Sequence, residues 1–324
     1  MPKSRFSTRA PVRPAADDAR GETPLPGGIS SDICVVHAAG GDYVVKRALP
    51  KLRVEADWFA DPGRSSIEVD GLRTIARLLG QQYAPRVLWA DEAAHSFAME
   101  RIDASFENWK QQLLRGQVDT ATASTAGRLL GELHSRSAND ADIAARFANQ
   151  ENFVELRIRP FFERIAQRHT ELAATIVETS ERLLSQRCAF VHGDFSPKNL
   201  LARRSELVIL DCEVAHWGDP QFDVAFCAAH VILKALRRGA PIAALADVER
   251  AFLTEYRRSG PAPLDASLGR LVGCLLLARL DGDSPVDYLA DLDRTEVHWL
   301  AVGLITRPPD AFEEVIDRLS SRTA

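Results

Sequence analysis

The chain has 324 residues, 46% of them hydrophobic and 26% charged, which is enough apolar material for one large domain or two lobes. Its net charge of −5 and pI of about 5.9 argue against a nucleic-acid-binding protein that works by neutralising phosphates. The longest charge-free apolar stretches are too short to span a bilayer, and the five scattered cysteines form no CxxC pair, so we expect a cytoplasmic protein without a disulfide framework or a membrane segment.

The first 22 residues carry Pro, Ala, Arg and Asp with little apolar content, and they predict a disordered tail. This segment lacks the hydrophobic stretch of a secretory signal. Asp17 and Asp18 interrupt the basic character that a transit peptide needs, although that alternative stays open.

Strand patterns dominate from residue 23 to residue 101, where two apolar runs flank the turn signal Gly40-Gly41-Asp42. The predicted strands here cover 29–37, 43–46, 86–90 and 96–102, and apolar spacing predicts a helix over 67–79. After Asp103 the pattern is mostly helical. The predicted helices cover 122–134, 161–184 with a break, 222–236, 248–257, 268–280, 295–305 and 311–319. We therefore expect an N-lobe over 23–101 and a helical C-lobe over 102–324.

The most informative segment is His192-Gly193-Asp194-Phe195-Ser196-Pro197-Lys198-Asn199, followed by Asp211 at the end of an apolar run. A carboxylate, an amide and a second carboxylate at this spacing match a kinase catalytic loop and its metal-binding aspartate. Phosphoryl transfer needs a proton acceptor near the acceptor hydroxyl, here Asp194, and oxygen ligands for Mg²⁺, here Asn199 and Asp211.

Two neighbouring residues have competing interpretations. Glu213 lies two residues beyond Asp211, so strand alternation places it on the same face, either as a metal or supporting carboxylate or as a solvated charge. We expect His192 to bridge backbone groups beneath the loop rather than to act as a base or a ligand.

These motifs resemble those of the aminoglycoside phosphotransferase/choline kinase family. The resemblance includes Leu210-Asp211-Cys212-Glu213 and the run Gly218-Asp219-Pro220-Gln221-Phe222-Asp223-Val224-Ala225, in which Val224 replaces the usual leucine of the GDPxxDLA stretch. It implies an α+β, two-lobed, protein-kinase-like fold, with an antiparallel sheet plus a helix in the N-lobe and a larger, mostly helical C-lobe. It also implies that Asp223 supports the backbone of the catalytic loop.

The resemblance further implies a set of nucleotide-binding residues in the N-lobe. Its phosphate-covering loop corresponds to Gly27, Gly28, Ser30 and Ser31. Lys46 corresponds to the lysine that contacts the α- and β-phosphates, with Glu68 as its partner and Glu55 as the alternative. Backbone groups of Glu100 and Ile102 are expected to hydrogen-bond adenine.

The segment Ala278-Arg279-Leu280-Asp281-Gly282-Asp283-Ser284-Pro285-Val286-Asp287-Tyr288-Leu289 resembles an RxDGxSPVxYL stretch of bacterial family members. Its charged residues either face the acceptor or form a helix end and turn.

The best interpretation is a phosphotransferase that uses ATP and Mg²⁺ to phosphorylate a small-molecule hydroxyl. The alternatives are a nucleotide-binding regulator without turnover, which the intact motif argues against, and a kinase-fold enzyme acting on a protein, which the missing activation segment argues against.

Overall fold

The computed structural model describes residues 19–26, 28–54, 57–261, 264 and 267–321. The chain divides into two compact units, residues 1–103 and residues 104–324. This boundary falls two residues beyond the predicted limit of the N-lobe. In the described part of the chain, no helix combines the length and the apolar character that crossing a membrane requires.

The first unit is an antiparallel sheet with one long helix, as predicted. Its strands are β1 (Ala19–Pro24), β2 (Ser31–Ala38), β3 (Tyr43–Ala48), β4 (Val87–Asp91) and β5 (Ser96–Glu100), in the order β1-β2-β3-β5-β4. Helix α1 (Arg64–Leu79) and a short 3₁₀ turn (Gln81–Tyr83) separate β3 from β4. The buried side chains of α1 include Val69, Leu72 and Ile75, which recur at helical spacing and provide its packing face.

Strand β1 corrects the prediction of a disordered tail over residues 1–22, because residues 19–22 belong to the sheet. Backbone pairing with β2 orders the strand, with Glu22 opposite Val36 and Thr23 opposite Val35. The side chains of residues 21–24 are exposed, as is usual on an edge strand. The segment therefore lacks the apolar pattern that would have revealed it. Residues 1–18 lie outside the described residues.

The second unit is mostly helical. Its helices are α2 (Trp109–Leu114), α3 (Thr120–Ser137), α4 (Ala141–Arg146), α5 (Glu151–Phe153), a π-helical segment (Val154–Glu163), α6 (Arg164–Arg168), α7 (Ala173–Ser185), α8 (Gln221–Ala235), α9 (Ile242–Ser259), α10 (Ser267–Asp281), α11 (Arg294–Thr306) and α12 (Glu313–Ser320). Helix α8 is buried almost all round, as its apolar sequence predicts. With the first unit, this confirms the α+β class.

Short strands hold the segment that carries the kinase-like motif. Strand β7 (Ala189–Val191) pairs with β10 (His216–Gly218), and β8 (Leu200–Arg203) pairs with β9 (Glu206–Ile209) and with β6 (Glu107–Asn108). Residues 192–199, the predicted catalytic loop, connect β7 to β8 and end in a 3₁₀ turn (Pro197–Asn199). Because β8 begins after Asn199 and β9 ends just before Leu210, the antiparallel pairing brings Asn199 close to Asp211.

Candidate active site

Lys46 and Glu68 form the ion pair that the sequence predicts. The Lys46 Nζ atom lies 2.8 Å from both Glu68 carboxylate oxygens, and both side chains are almost fully buried. Lys46 is on β3 and Glu68 is in the first turns of α1. The alternative partner, Glu55, lies outside the described residues. The contact of Lys46 with phosphate stays a prediction.

The segment predicted to cover the phosphates is held by a buried arginine that sequence reasoning missed. The guanidinium of Arg64 donates to the carbonyls of Ser30 (2.5 Å) and Leu49 (2.8 Å). A side chain at Gly28 would place its Cβ 2.2 Å from the Ser31 carbonyl oxygen, so this close turn requires glycine. Gly27 lies outside the described residues.

The other predicted nucleotide contacts in this unit differ in their surroundings. Ser31 begins β2, and its hydroxyl is buried with no hydrogen-bond partner among the described residues. The Glu100 N–H donates to the Arg86 carbonyl, and the Glu100 carboxylate accepts the Arg86 N–H, each at 2.9 Å. Ile102 follows β5 and makes no backbone hydrogen bond within the described chain. Their contacts with phosphate and adenine stay predictions.

Both carboxylate oxygens of Asp194 are held by neighbouring side chains. Oδ1 lies 2.6 Å from Nη2 of Arg157, and Oδ2 accepts a hydrogen bond of 2.7 Å from Nδ2 of Asn199. Arg157 also donates to the carbonyls of Gly193 (2.9 Å) and Leu156 (2.7 Å). Arg157 lies in the π-helical segment, and no motif signalled it. Its three contacts fix the direction of the Asp194 carboxylate relative to the loop backbone.

Asp223 supports the catalytic loop from below, as the resemblance implies. Its fully buried carboxylate accepts the N–H groups of His192 (2.6 Å) and Gly193 (2.8 Å), and His134 Nε2 donates to it (3.2 Å). Burial acts to raise the pKa of Asp223, but the hydrogen bond from His134 and the His192 N–H outweigh burial and leave the pKa below its ordinary value. The His134 ring also contacts the Tyr256 hydroxyl at 3.0 Å, a support that the sequence did not reveal.

Two further loop residues explain why the backbone takes this path. Burial lowers the pKa of His192, so the ring is neutral, with Nε2 donating to the Leu210 carbonyl (3.0 Å) and Nδ1 accepting the Asp194 N–H (3.2 Å). His192 therefore bridges backbone groups, as predicted. Gly193 has a φ of 77°, and a Cβ there would lie 2.6 Å from the Val214 carbonyl oxygen. A residue with a side chain cannot occupy this position unless the Val214 backbone moves.

Three oxygen-bearing side chains, one at the end of the loop and two after it, suit a hard cation such as Mg²⁺. Among the described residues, the hydrogen bonds of the Asn199 side chain use only Nδ2, which leaves Oδ1 for a cation. Asp211 and Glu213 offer carboxylate oxygens within 4.8 Å of each other. Asp211 has a φ of 63°, a strained conformation that concentrates at functional sites. The donor set therefore fits Mg²⁺.

Glu213 lies near Asp211, as predicted, but strand alternation is not the reason. Strand β9 ends at Ile209, and the left-handed Asp211 turns the chain, so strand alternation does not apply. A turn brings the two carboxylates together instead.

The charged residues of the Arg279–Asp283 motif contact different parts of the second unit. Asp283 accepts two hydrogen bonds from Arg164 Nε (2.8 and 2.9 Å), and Asp281 contacts His169 Nε2 (3.0 Å). Both carboxylates thus hold α6 and the end of α10 together. Arg279 instead lies over the rings of Phe161 (4.6 Å) and Phe226 (5.2 Å).

A family model described as the phosphotransferase enzyme family matches residues 21–262, which is most of the chain. The chain belongs to this family. The chain is 25% identical over 225 residues to a methylthioribose kinase from Geobacillus thermodenitrificans (strain NG80-2). That alignment covers 60% of this chain and 55% of the kinase, so the chain spans about half the length of the curated relatives it matches.

Solved structures show that this phosphotransferase-family chain has the kinase-like fold that the sequence predicts. An amicoumacin kinase in complex with AMP-PNP, Ca²⁺ and Ami matches with a TM-score of 0.54 and 14% identity, over 91% of each chain. A spectinomycin phosphotransferase in complex with ADP and spectinomycin matches with a TM-score of 0.51 and 13% identity, over 93% of this chain and 94% of that one. At this identity the likeness concerns the fold alone.

Proposed function

We propose that this chain transfers the γ-phosphate of ATP, with Mg²⁺, to a hydroxyl group of a small molecule. The observation that carries the proposal is the fixed carboxylate of Asp194, held by Arg157 and Asn199, next to the oxygen donors of Asn199, Asp211 and Glu213. A proton acceptor and a cation site on one loop and its following turn are the parts that phosphoryl transfer requires.

In the proposed reaction, Asp194 orients the acceptor hydroxyl and takes its proton. The hydroxyl oxygen forms a bond to the γ-phosphorus as the bond from that phosphorus to the bridging oxygen breaks, and ADP leaves with the bond electrons. Asp194 then releases the proton to solvent. Positioning accounts for most of the rate gain, because the transition state of phosphoryl transfer is loose.

The remaining predicted residues hold the nucleotide. Lys46, oriented by Glu68, contacts phosphate oxygens, while backbone groups of the Gly27–Ser31 segment cover them and those of Glu100 and Ile102 bind adenine. Asn199, Asp211 and Glu213 would hold Mg²⁺, which neutralises negative charge on the phosphates. The AMP-PNP and Ca²⁺ of the amicoumacin kinase complex support a nucleotide and a divalent cation, and the methylthioribose kinases among the relatives support a small-molecule acceptor.

Calorimetry with AMP-PNP, with and without Mg²⁺, tests the proposal. We expect saturable binding that strengthens with Mg²⁺ and that Lys46→Met weakens. Lys51→Met is the matched control, because Lys51 is half exposed and pairs with the exposed Asp57. Absence of binding at millimolar nucleotide contradicts the proposal.

Turnover separates the two alternatives from the proposal. With labelled ATP and a metabolite extract, we expect label in the small-molecule fraction. Binding without any turnover would indicate a regulator, and label on protein would indicate a protein kinase.

A further inference from the structure

A group of cations lies beside the catalytic loop and is not explained by the proposed transfer chemistry. We call the cations Lys110, Lys234 and Arg279, together with the neutral His230 and Tyr288 that contact them, the basic cluster. Contacts connect it to Asp194, because Arg157, which pairs with Asp194, shares two aromatic rings with Arg279. The Arg157 guanidinium lies 5.5 Å from the Phe161 ring centre and 5.3 Å from that of Phe226, and Arg279 lies over the same two rings.

Two members of the cluster, His230 and Lys234, lie on helix α8. Asp223, Phe226, His230 and Lys234 follow one another at intervals of three or four residues, so they form one stripe along the helix. Asp223 anchors the loop backbone at one end of this stripe, and Lys234 lies at the other.

Arg279 has no carboxylate partner among the described residues. Its guanidinium donates to the Ser284 carbonyl (2.7 Å) and hydroxyl (2.9 Å) and to Nε2 of His230 (3.2 Å). Burial and the charge of Arg279 hold the pKa of His230 well below its ordinary value, so the ring is neutral and accepts this hydrogen bond.

Lys234 is 1% exposed and also lacks a carboxylate partner in the described chain. Its Nζ donates to the His230 carbonyl (2.9 Å) and to the Tyr288 hydroxyl (3.4 Å), and within the described chain its third N–H donor has no partner. The Tyr288 ring is close to several cations, with Lys234 at 5.4 Å, Arg237 at 5.6 Å and Lys110 at 6.0 Å from its centre. Lys110, by contrast, is neutralised by Asp287 at 2.7 Å.

Lys234 is fully buried and Arg279 is partly exposed, and neither has a carboxylate partner in the described chain. An anion beside them would offset the cost of holding positive charge there. Burial, followed by the charge of Lys110, lowers the pKa of Lys234 to about 7, so near neutral pH this lysine is only about half protonated, and a bound anion would favour its charged form. A cationic acceptor would add to this repulsion, whereas an anionic one would relieve it.

We propose that the basic cluster binds an anionic group, a carboxylate or a phosphate, on the acceptor whose hydroxyl reaches Asp194. This inference rests on the proposed phosphotransferase function. It predicts acidic hydroxy compounds as substrates, not aminoglycosides or amino alcohols.

Two series of compounds test the inference, and within each series the carbon skeleton is constant while the charge varies. One series is D-gluconate, D-glucitol 6-phosphate, D-glucitol and D-glucamine, and the other is D-glycerate, glycerol and 3-amino-1,2-propanediol. Binding is measured by calorimetry at millimolar ligand, with and without AMP-PNP and Mg²⁺. We expect at least one of the two six-carbon anions, and D-glycerate in the three-carbon series, to bind more tightly than the neutral and cationic compounds of the same series. The two six-carbon anions distinguish a carboxylate site from a phosphate site.

Variants tie the preference to the cluster. Lys234→Met and Arg279→Met should each weaken anion binding roughly 10- to 100-fold, the range for losing a charge-assisted hydrogen bond, and should leave nucleotide binding unchanged. Arg250→Met removes the same charge from a half-exposed arginine paired with Asp247 and Asp317, and it should change neither. A preference for the neutral or cationic compounds, no binding of any anion, or an anion preference that survives in both variants would overturn the inference. Failure of the unmodified protein to bind nucleotide would instead contradict the proposed function.

Discussion

Arg157 and Asp194 form an ion pair at the centre of the catalytic loop, with Nη2 2.6 Å from Oδ1 and both side chains largely buried. The same guanidinium binds the carbonyl of Gly193, so one side chain fixes both the loop backbone and its carboxylate. We therefore regard Arg157 as a positioning residue for the proposed base.

Replacing Arg157 with lysine should misdirect Asp194 without affecting the nucleotide. A lysine ammonium cannot reproduce the planar set of contacts to Asp194, Gly193 and Leu156. We expect kcat to fall roughly 10- to 100-fold, with unchanged affinity for AMP-PNP. Arg128→Lys, which alters an arginine paired with Glu132 on α3, is the control. Equal losses of kcat and nucleotide affinity would show a general loss of structure instead.

The metal donors should separate by role in a Mg²⁺ titration of the initial rate. Asp211→Ala should abolish transfer and Mg²⁺-dependent nucleotide binding together, since it removes a charged oxygen donor. Glu213→Gln should only raise the Mg²⁺ requirement if Glu213 supports the site from outside the metal shell. If Glu213 binds an ion directly, its loss should approach that of Asp211→Ala. An Asp211→Ala protein with an unchanged Mg²⁺ curve would refute the donor assignment.

Asp223→Asn should destabilise the protein, although the two side chains have nearly the same shape. The carboxamide places an NH₂ group against one of the two backbone N–H donors of His192 and Gly193. A buried donor without an acceptor costs about 1–3 kcal/mol, and more where a charge had compensated it. Urea unfolding monitored by circular dichroism measures the difference. Unchanged stability would mean that the loop does not depend on this anchor.

Sequence reasoning located the motif residues because one loop and the following strand hold them at fixed spacing. Lys46 and Glu68 were predictable because the family that the sequence resembles pairs a lysine on a strand with a glutamate on the next helix. Arg157 was not, since it lies on a distant helical segment and belongs to no motif. The helix predicted to begin at residue 161 in fact begins at Glu151. Pro160 accounts for this error, because proline usually interrupts an α-helix. The wider π-helical turn accommodates a residue without an N–H.

Glu249 should give stability a specific pH dependence. Both of its carboxylate oxygens are buried without a hydrogen-bond partner among the described residues, and burial raises its pKa to about 8. The unfolded chain loses this proton from about pH 4.5 upward, whereas the folded chain retains it until about pH 8. Stability is therefore lost as the pH rises through this window. Glu249→Leu should raise the melting temperature more at pH 8 than at pH 5, and an equal gain at both would refute this assignment.

The decisive experiment for the proposed phosphotransferase activity is transfer of labelled γ-phosphate from ATP, measured for the unmodified protein and for Asp194→Asn. The reaction contains Mg²⁺ and a metabolite extract, and label is measured in the small-molecule fraction. We predict transfer by the unmodified protein and a rate roughly 10²- to 10⁴-fold lower for Asp194→Asn, the range for removing a general base, with nucleotide affinity retained. An Asp194→Asn protein that keeps half of the activity, or an unmodified protein that binds nucleotide and labels no small molecule, would contradict the proposed function.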